Sequence, residues 1–599
     1  MLGLALVDWL VLGGYIAGIT ALGLWASRAV ATTGDYFMGG RRFGRLFMIA
    51  QAFGTGTRTS QVVAVSGTAA QVGFAGIWVQ WMYLFSTPFF WLLAPVYRRL
   101  RYITIGDFFE QRYGSAMGAT YAAVGLAYFA ATTGVMLKGA GVTVEAITAG
   151  AVSTEVAVVG MMLFFLAYSL LGGLVAAVTT QAVQGLFILL LSFLLIPFAL
   201  STAGGLGAAQ AALPESVDWF GLFATTEITA FYVVMAVVNA LVGVTVQPHH
   251  MAINGAGKDE LACRTGWTYG NFLKRFATLG WAFSGIFITA AFLATDGANL
   301  VEADRGTREM AFGLAARAFL PAGLVGLLLA AVVAAVVASA SGFMTGGSAL
   351  FTRNFYRRYL RPDASERHYL AVGRVSSLVV VGAGVATALL LPSVLDGLEW
   401  VWRIMAFLGI AFWAAVVWRR ANRYGAWASV LATTACAVVT TALGWSFPAQ
   451  IALYLPVGIA ALVGVSLLTP PEDEAALNTF YSLLRTPVGE ERHLREAGIE
   501  TIHEVDQVTA GIESAMTSSI ETSSITTPSI GDPTPERVPL LPDSIAAKRG
   551  ESLLLTNLLT LGDRFSWARY RTDLGGFAVA WGLVAGFLVL AVVLTRWLG

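Results

Sequence analysis

Roughly fourteen stretches of about twenty apolar residues, spread along a chain of 599, decide more than any other feature what this sequence can fold into. They fall at about 5–27, 46–70, 74–96, 117–147, 152–172, 175–201, 229–252, 270–294, 321–350, 370–391, 398–418, 424–445, 448–468 and 575–598, each long enough to cross a bilayer. Hydrocarbon offers no water to satisfy a backbone N–H or C=O, so segments of this kind must be helices. The expected class is an all-α polytopic membrane protein. Its charged fraction of 12% agrees, because soluble domains carry about 25%. A net charge of +1 gives no reason to expect a nucleic-acid partner. Cys263, in an expected cytoplasmic loop, and Cys436, in a helix, suggest neither a disulfide nor a metal framework. No cofactor motif and no catalytic constellation is apparent, so an enzyme is not expected. The first span lacks a basic leader and reads as a retained helix.

Lysine and arginine set the orientation. One series of loops carries Arg28, Arg41, Arg42 and Arg45, then Arg98 to Arg112, then Lys258, Arg264, Lys274 and Arg275, then Arg353 to Arg367, then Arg419 to Arg423. The opposite loops are almost bare of basic residues, apart from Arg305, Arg308 and Arg317 interleaved with acids. The first series is therefore assigned to the cytoplasm and both termini to the outside of a plasma (inner) membrane. Three regions follow: a domain of thirteen spans over 1–470, a cytoplasmic tail over 471–573, and a last membrane helix over 574–599. Within the tail, 475–484 and 490–497 have helical character. Residues 515–543 are rich in Ser, Thr and Pro and read as disordered linker.

The second span is interrupted by Gly54-Thr55-Gly56-Thr57-Arg58. A charge at mid-bilayer costs about 2.5–3.5 kcal/mol on insertion scales and marks a functional site by default. Irregular backbone at that depth is tolerated only against a polar cavity. The seventh span is interrupted too, by Gly243-Val-Thr-Val-Gln247-Pro248-His249-His250; proline removes a donor and clashes with the preceding turn. Broken helices in corresponding halves point to an inverted-repeat transporter with its sites at the breaks.

Four ordered motifs carry a resemblance. They are Asp35-Tyr-Phe-Met-Gly-Gly-Arg41-Arg42, Ile105-Gly-Asp107-Phe-Phe-Glu110-Gln-Arg112-Tyr-Gly114, Gly172-Gly173-Leu174 through Thr180-Gln181 to Gln184, and Gly326 through Leu350-Phe-Thr352-Arg-Asn354-Phe-Tyr356. From about residue 5 to 470 the chain resembles the sodium:solute symporter family. The resemblance implies a LeuT-type core of five plus five inverted-repeat helices, spans two to eleven. It also implies alternating access and uptake of a small solute driven by sodium.

It further implies a sodium site between the second and ninth spans. The carbonyls of Gly54 and Thr57 would meet Ala335, Ala338 and Ser339, with Gln181 as a neighbour. The chain departs from the family there. One of two adjacent hydroxyl residues is replaced by Ala338, an acid by Gln181, and a small residue by Arg58. Two like charges about 4 Å apart at an effective dielectric near 20 repel by roughly 4 kcal/mol. Three readings of Arg58 follow: a built-in substitute for sodium, a contact for an anionic solute, or a structural cation paired elsewhere. Sodium is thus a doubtful ligand, and the coupling ion could be Na+, H+ or none.

Thr55, Arg58, Gln61, Gln80, Lys138, Gln247 and His249 are the candidate solute contacts. Gln61 shares a helical face with Arg58. Gln80 stands where sugar carriers of the family often have an acid. Lys138 either attracts an anion or snorkels outward. His249 and His250 either relay protons or satisfy backbone freed at the break. Glu399 and Arg403 are spaced for a local ion pair. The expected function is secondary transport of a small polar solute, with an organic anion favoured by Arg58, Lys138 and the lack of acids at the breaks. One chain is expected to work alone in the lipid bilayer. The rival is a transporter-like sensor that signals through the tail.

Overall fold

The computed structural model describes residues 3–27, 43–169, 181, 183–190, 192–295, 299–499, 540–560 and 565–598. The motif at 35–42, most of that at 172–184, and residues 515–539 of the expected linker lie outside the described residues. All the regular elements described are helical. Eleven helices are long and apolar enough to cross a membrane, or twelve if a bent pair counts as one span. Each of the expected spans has a helical counterpart. In chain order the elements are α1 (Leu6–Ser27), α2 (Arg45–Gly56), α3 (Thr59–Val72), α4 (Thr87–Leu100), α5 (Ile105–Tyr113), α6 (Ser115–Thr148) and α7 (Thr154–Ser169). There follow α8 (Leu195–Thr202), α9 (Leu206–Ala212), α10 (Ala230–Gly243), α11 (His249–Gly255), α12 (Glu260–Thr295), α13 (Arg305–Phe319) and α14 (Leu324–Phe351). The series closes with α15 (Glu366–Leu390), α16 (Val394–Val417), α17 (Arg423–Ala442), α18 (Phe447–Leu468), α19 (Glu474–Arg485), α20 (Glu491–Glu496), α21 (Ser544–Arg549), α22 (Leu554–Asn557) and α23 (Arg571–Leu598).

Both breaks are present. Between α2 and α3, Thr57 and Arg58 are extended, at φ/ψ of −106/120 and −130/151. Between α10 and α11, the 3-10 turn Val244–Val246 and extended Gln247 bend the path by 62°. Small residues allow close helix approach, as membrane packing requires. A Cβ on Gly139 of α6 would lie 2.8 Å from the Ser60 Cα, just beyond the first break. One on Gly270 of α12 would lie 2.7 Å from the Ile49 carbonyl oxygen of α2. Helices α6 and α12 are thereby pressed against the broken helix from two sides.

The loop assignment from basic residues needs correction on one helix. The eighth span was expected to start near 270, but α12 begins at Glu260. Arg264 is therefore helical and buried, and Cys263 is a fully buried helix residue rather than a loop cysteine; Lys274 and Arg275, counted with the loop charges although they fall in the first turns of the expected span, are buried well inside the helix. Their charges are used inside the bundle.

The tail helices expected at 475–484 and 490–497 are present as α19 and α20, and they dock on the bundle. Arg99, fully buried at the end of α4, forks onto Glu260 at 2.8 Å through both Nε and Nη2. It also donates to the carbonyls of Leu484 (3.1 Å) and Glu551 (2.7 Å). Arg101, in the left-handed region at φ 60°, reaches Glu491 at 2.9 Å and the carbonyls of Thr486 and Pro487. Arg264 meets Asp573 of α23 at 2.5 Å, both side chains almost wholly enclosed. At the other end of the bundle Arg305 pairs with Asp396, and Glu309 of α13 accepts from the N–H groups of Val394 and Leu395 at the start of α16. Glu399 and Arg403 form the expected i,i+4 pair at 3.1 Å.

Candidate functional site

The two breaks face one polar cavity with an open mouth. Arg58, Gln61, Gln247 and His249, four of the sequence candidates, line it. Arg58 is 6% exposed, with its guanidinium carbon 4.7 Å from the Phe343 ring centre. Its position as the N-cap of α3 is fixed by its own N–H donating to Gln61 Oε1 at 3.3 Å. Its Nε has no acceptor, and it forms no ion pair with a carboxylate of the described residues.

Two more cations complete the wall. Lys274 Nζ donates to the carbonyl of Gly56, the last residue of α2, at 2.6 Å. Arg275 donates from Nη1 to the Gln80 carbonyl at 3.1 Å and lies 5.5 Å from the Tyr83 ring centre, and its Nε has no acceptor. The remaining polar lining is Tyr83, Tyr128, Asn271 and His250. None of the lining residues is acidic. His250 is spoken for by the freed backbone of the second break, its Nδ1 lying 2.8 Å from the Val244 oxygen. The His249 ring is stacked parallel to Tyr128, with ring centres 6.2 Å apart, and its Nδ1 is unpartnered.

The residues implied for a sodium site are only partly brought together. Ser339 Oγ lies 3.2 Å from the Thr57 oxygen and 3.4 Å from that of Thr55, so the second carbonyl at this hydroxyl belongs to Thr55 and not to Gly54. Gln181 Nε2 donates to the Ala338 carbonyl and to Thr55 Oγ1, both at 3.0 Å. Gly54 packs against the Gln181 side chain, and Ala335 lines a separate apolar cavity. Hard cations want oxygen ligands, yet two of the acceptors around this break already receive protein N–H groups. The residues present therefore fit a sodium ion poorly. Lys274 places its ammonium on the Gly56 carbonyl at the break, a contact absent from the three sequence readings of Arg58.

Three candidates lie elsewhere, Thr55 among them, held at the break by Gln181. Gln80 is buried outside the cavity with both amide atoms unpartnered, and contributes its carbonyl to Arg275. Lys138 is not part of the wall. Sequence reasoning missed Lys274 and Arg275 because they had been counted as loop charges. The available signal was Trp267, Asn271 and Lys274 at i, i+4 and i+7, one face of a helix.

A bundle with paired broken helices around a central polar cavity is the architecture of a secondary transporter of small solutes. The family model for the "Sodium:solute symporter family" matches residues 36–433. The chain belongs to the sodium:solute symporter family. It is 24% identical over 482 residues to the sodium/glucose cotransporter of Vibrio parahaemolyticus, covering 74% of this chain and 87% of that one. It is 27% identical over 508 residues to the sodium/proline symporter of Haemophilus influenzae, covering 78% and 95%. Among solved structures, it resembles a Na+-coupled sialic acid symporter in its substrate-bound outward-open state. The TM-score is 0.69 at 18% identity, over 78% of this chain and 98% of the other. The fold is thus LeuT-type, the relatives are carriers and not enzymes, and this comparison gives no support to the sensor reading.

Proposed function

We propose that this carrier moves a small organic anion by alternating access, and that the family's sodium ion has no part in the cycle at the helix break. The observation that supports this reading is the charge of the cavity wall: Arg58, Lys274 and Arg275 with no acid among the lining residues. Leaving a buried cation without a partner costs several kcal/mol, and an anionic solute supplies the missing charge. Arg58, Gln61, Gln247 and His249 contact the solute in this reading, joined by Arg275. Thr55, Gln80 and Lys138 act at a distance or not at all.

Sodium is replaced at the break by Lys274 on Gly56 and by Gln181 on Ala338. Coupling then comes from another gradient or from exchange. The carrier is residues 1–470, working as one chain in the inner membrane. Both termini face outward, the tail lies in the cytoplasm, and 574–599 is the last helix. The test is uptake into proteoliposomes of a panel of neutral, cationic and anionic solutes, with sodium, proton or no gradient. The reading expects only anions to accumulate or exchange. A neutral sugar or amino acid as the sole transported solute overturns it.

A further inference from the structure

We infer that the transported anion carries two acidic groups, one for each of the Arg58 and Arg275 guanidinium groups. The inference rests on the anion reading above and comes from matching each cation in the wall to what already neutralises it. Lys274 is matched. Its ammonium sits on the Gly56 carbonyl at 2.6 Å, where the twelve-residue helix α2 ends, and a helix C-terminus carries about half a negative charge.

Arg58 is in the opposite situation. It caps the N-terminus of the fourteen-residue helix α3, an end that adds positive character rather than removing it. Arg275 has one neutral carbonyl, that of Gln80, and an aromatic face. Guanidinium cannot shed its proton in a protein, so both charges persist in the empty cavity. Both side chains are more than nine-tenths buried, and each keeps an Nε without an acceptor.

A buried, unpaired donor and charge of this kind calls for a partner. Carboxylates match the planar fork of each guanidinium. A monoanion would satisfy one arginine and leave the other, more than nine-tenths buried, uncompensated. A diacid carries one carboxylate for each of the two guanidinium groups that line this cavity.

The test is thermal stabilisation of the purified full-length protein, at equal ionic strength, by succinate against butyrate and by glutarate against valerate. The inference expects the diacid of each pair to bind at least roughly tenfold more tightly. R275Q and R58Q are each expected to abolish or reverse that preference, while R275K, which keeps the charge, retains it. Equal stabilisation by diacid and monoacid in the wild type overturns the inference and leaves the anion reading standing. So does a diacid preference that survives both R275Q and R58Q. Stabilisation by no carboxylate of either kind overturns the anion reading and the inference together.

Discussion

If sodium has no part at the helix break, replacing Lys274 by Met and Gln181 by Asp should give this carrier a sodium response there. In the wild type the Lys274 ammonium occupies the Gly56 carbonyl and the Gln181 amide occupies the Ala338 carbonyl, while Ser339 Oγ still faces the Thr55 and Thr57 oxygens. A sodium ion about 4 Å from the ammonium, at an effective dielectric near 20, would meet roughly 4 kcal/mol of repulsion, or about a thousandfold in affinity. An ordinary affinity near 1 mM would thus weaken to about 1 M. At about 100 mM sodium the site would contribute less than about 0.1 kcal/mol of stabilisation, against roughly 2.7 kcal/mol for an intact millimolar site. The double variant removes the positive charge, frees the carbonyls and adds a carboxylate. Melting of the purified protein in matched sodium and potassium salts reads the difference. The wild type should melt alike in both, and the variant should gain in sodium. A wild type stabilised by millimolar sodium over potassium refutes the reasoning, as does a folded variant indifferent to sodium.

Arg58→Gln removes a charge-assisted bond worth about 1.5–3 kcal/mol, so the KM of the transported anion should rise roughly tenfold to a hundredfold while neutral probes stay excluded. Asp573→Asn leaves Arg264 buried and unpaired, since both side chains are enclosed and the ions meet at 2.5 Å. A loss of about 3–5 kcal/mol is expected in a denaturant titration, most of it recovered in R264M/D573L. Burial outweighs the Val394 and Leu395 N–H donors and the Arg305 charge, and holds the Glu309 carboxyl above the usual carboxylate range. The folded chain then binds more protons than the unfolded one in that window. The Glu309 contribution to stability is therefore fully present below the ordinary carboxylate pKa and falls as pH rises through the raised value. A melting series against pH should show this slope in the wild type and a flatter one in E309Q.

Much of the fold was legible in the sequence because membrane helices announce themselves by length and apolarity alone. The two breaks were legible for a local reason: Gly54 and Gly56 flank the first, and Pro248 stands in the second. The partners across the cavity were not. The charge of Arg58 could be seen from sequence, but its contact with Phe343, nearly three hundred positions on, depends on how α14 lies against the break. Lys274 and Arg275 were hidden by a rule that is right on average. Basic residues near a span end are usually counted with the adjoining loop, yet α12 begins at Glu260, so Lys274 and Arg275 lie well inside the helix and in the wall. Charge counting along a chain cannot distinguish a loop lysine from one that closes a carbonyl at a helix break. The tail sequence shows two short helical stretches and a Ser/Thr/Pro-rich linker, and nothing in it tells where those helices dock. Their docking depends on Arg99 and Arg101, which belong to a different part of the sequence.

The account's central claim, an anion carried in an acid-free cationic cavity without sodium, is met most directly by counterflow in proteoliposomes loaded with an unlabelled organic acid and suspended in choline medium. The labelled acid should enter as fast without sodium as with it, and the Arg58→Gln protein should need a much higher concentration to match that rate. Counterflow that vanishes in choline and returns with a millimolar sodium requirement would contradict the account.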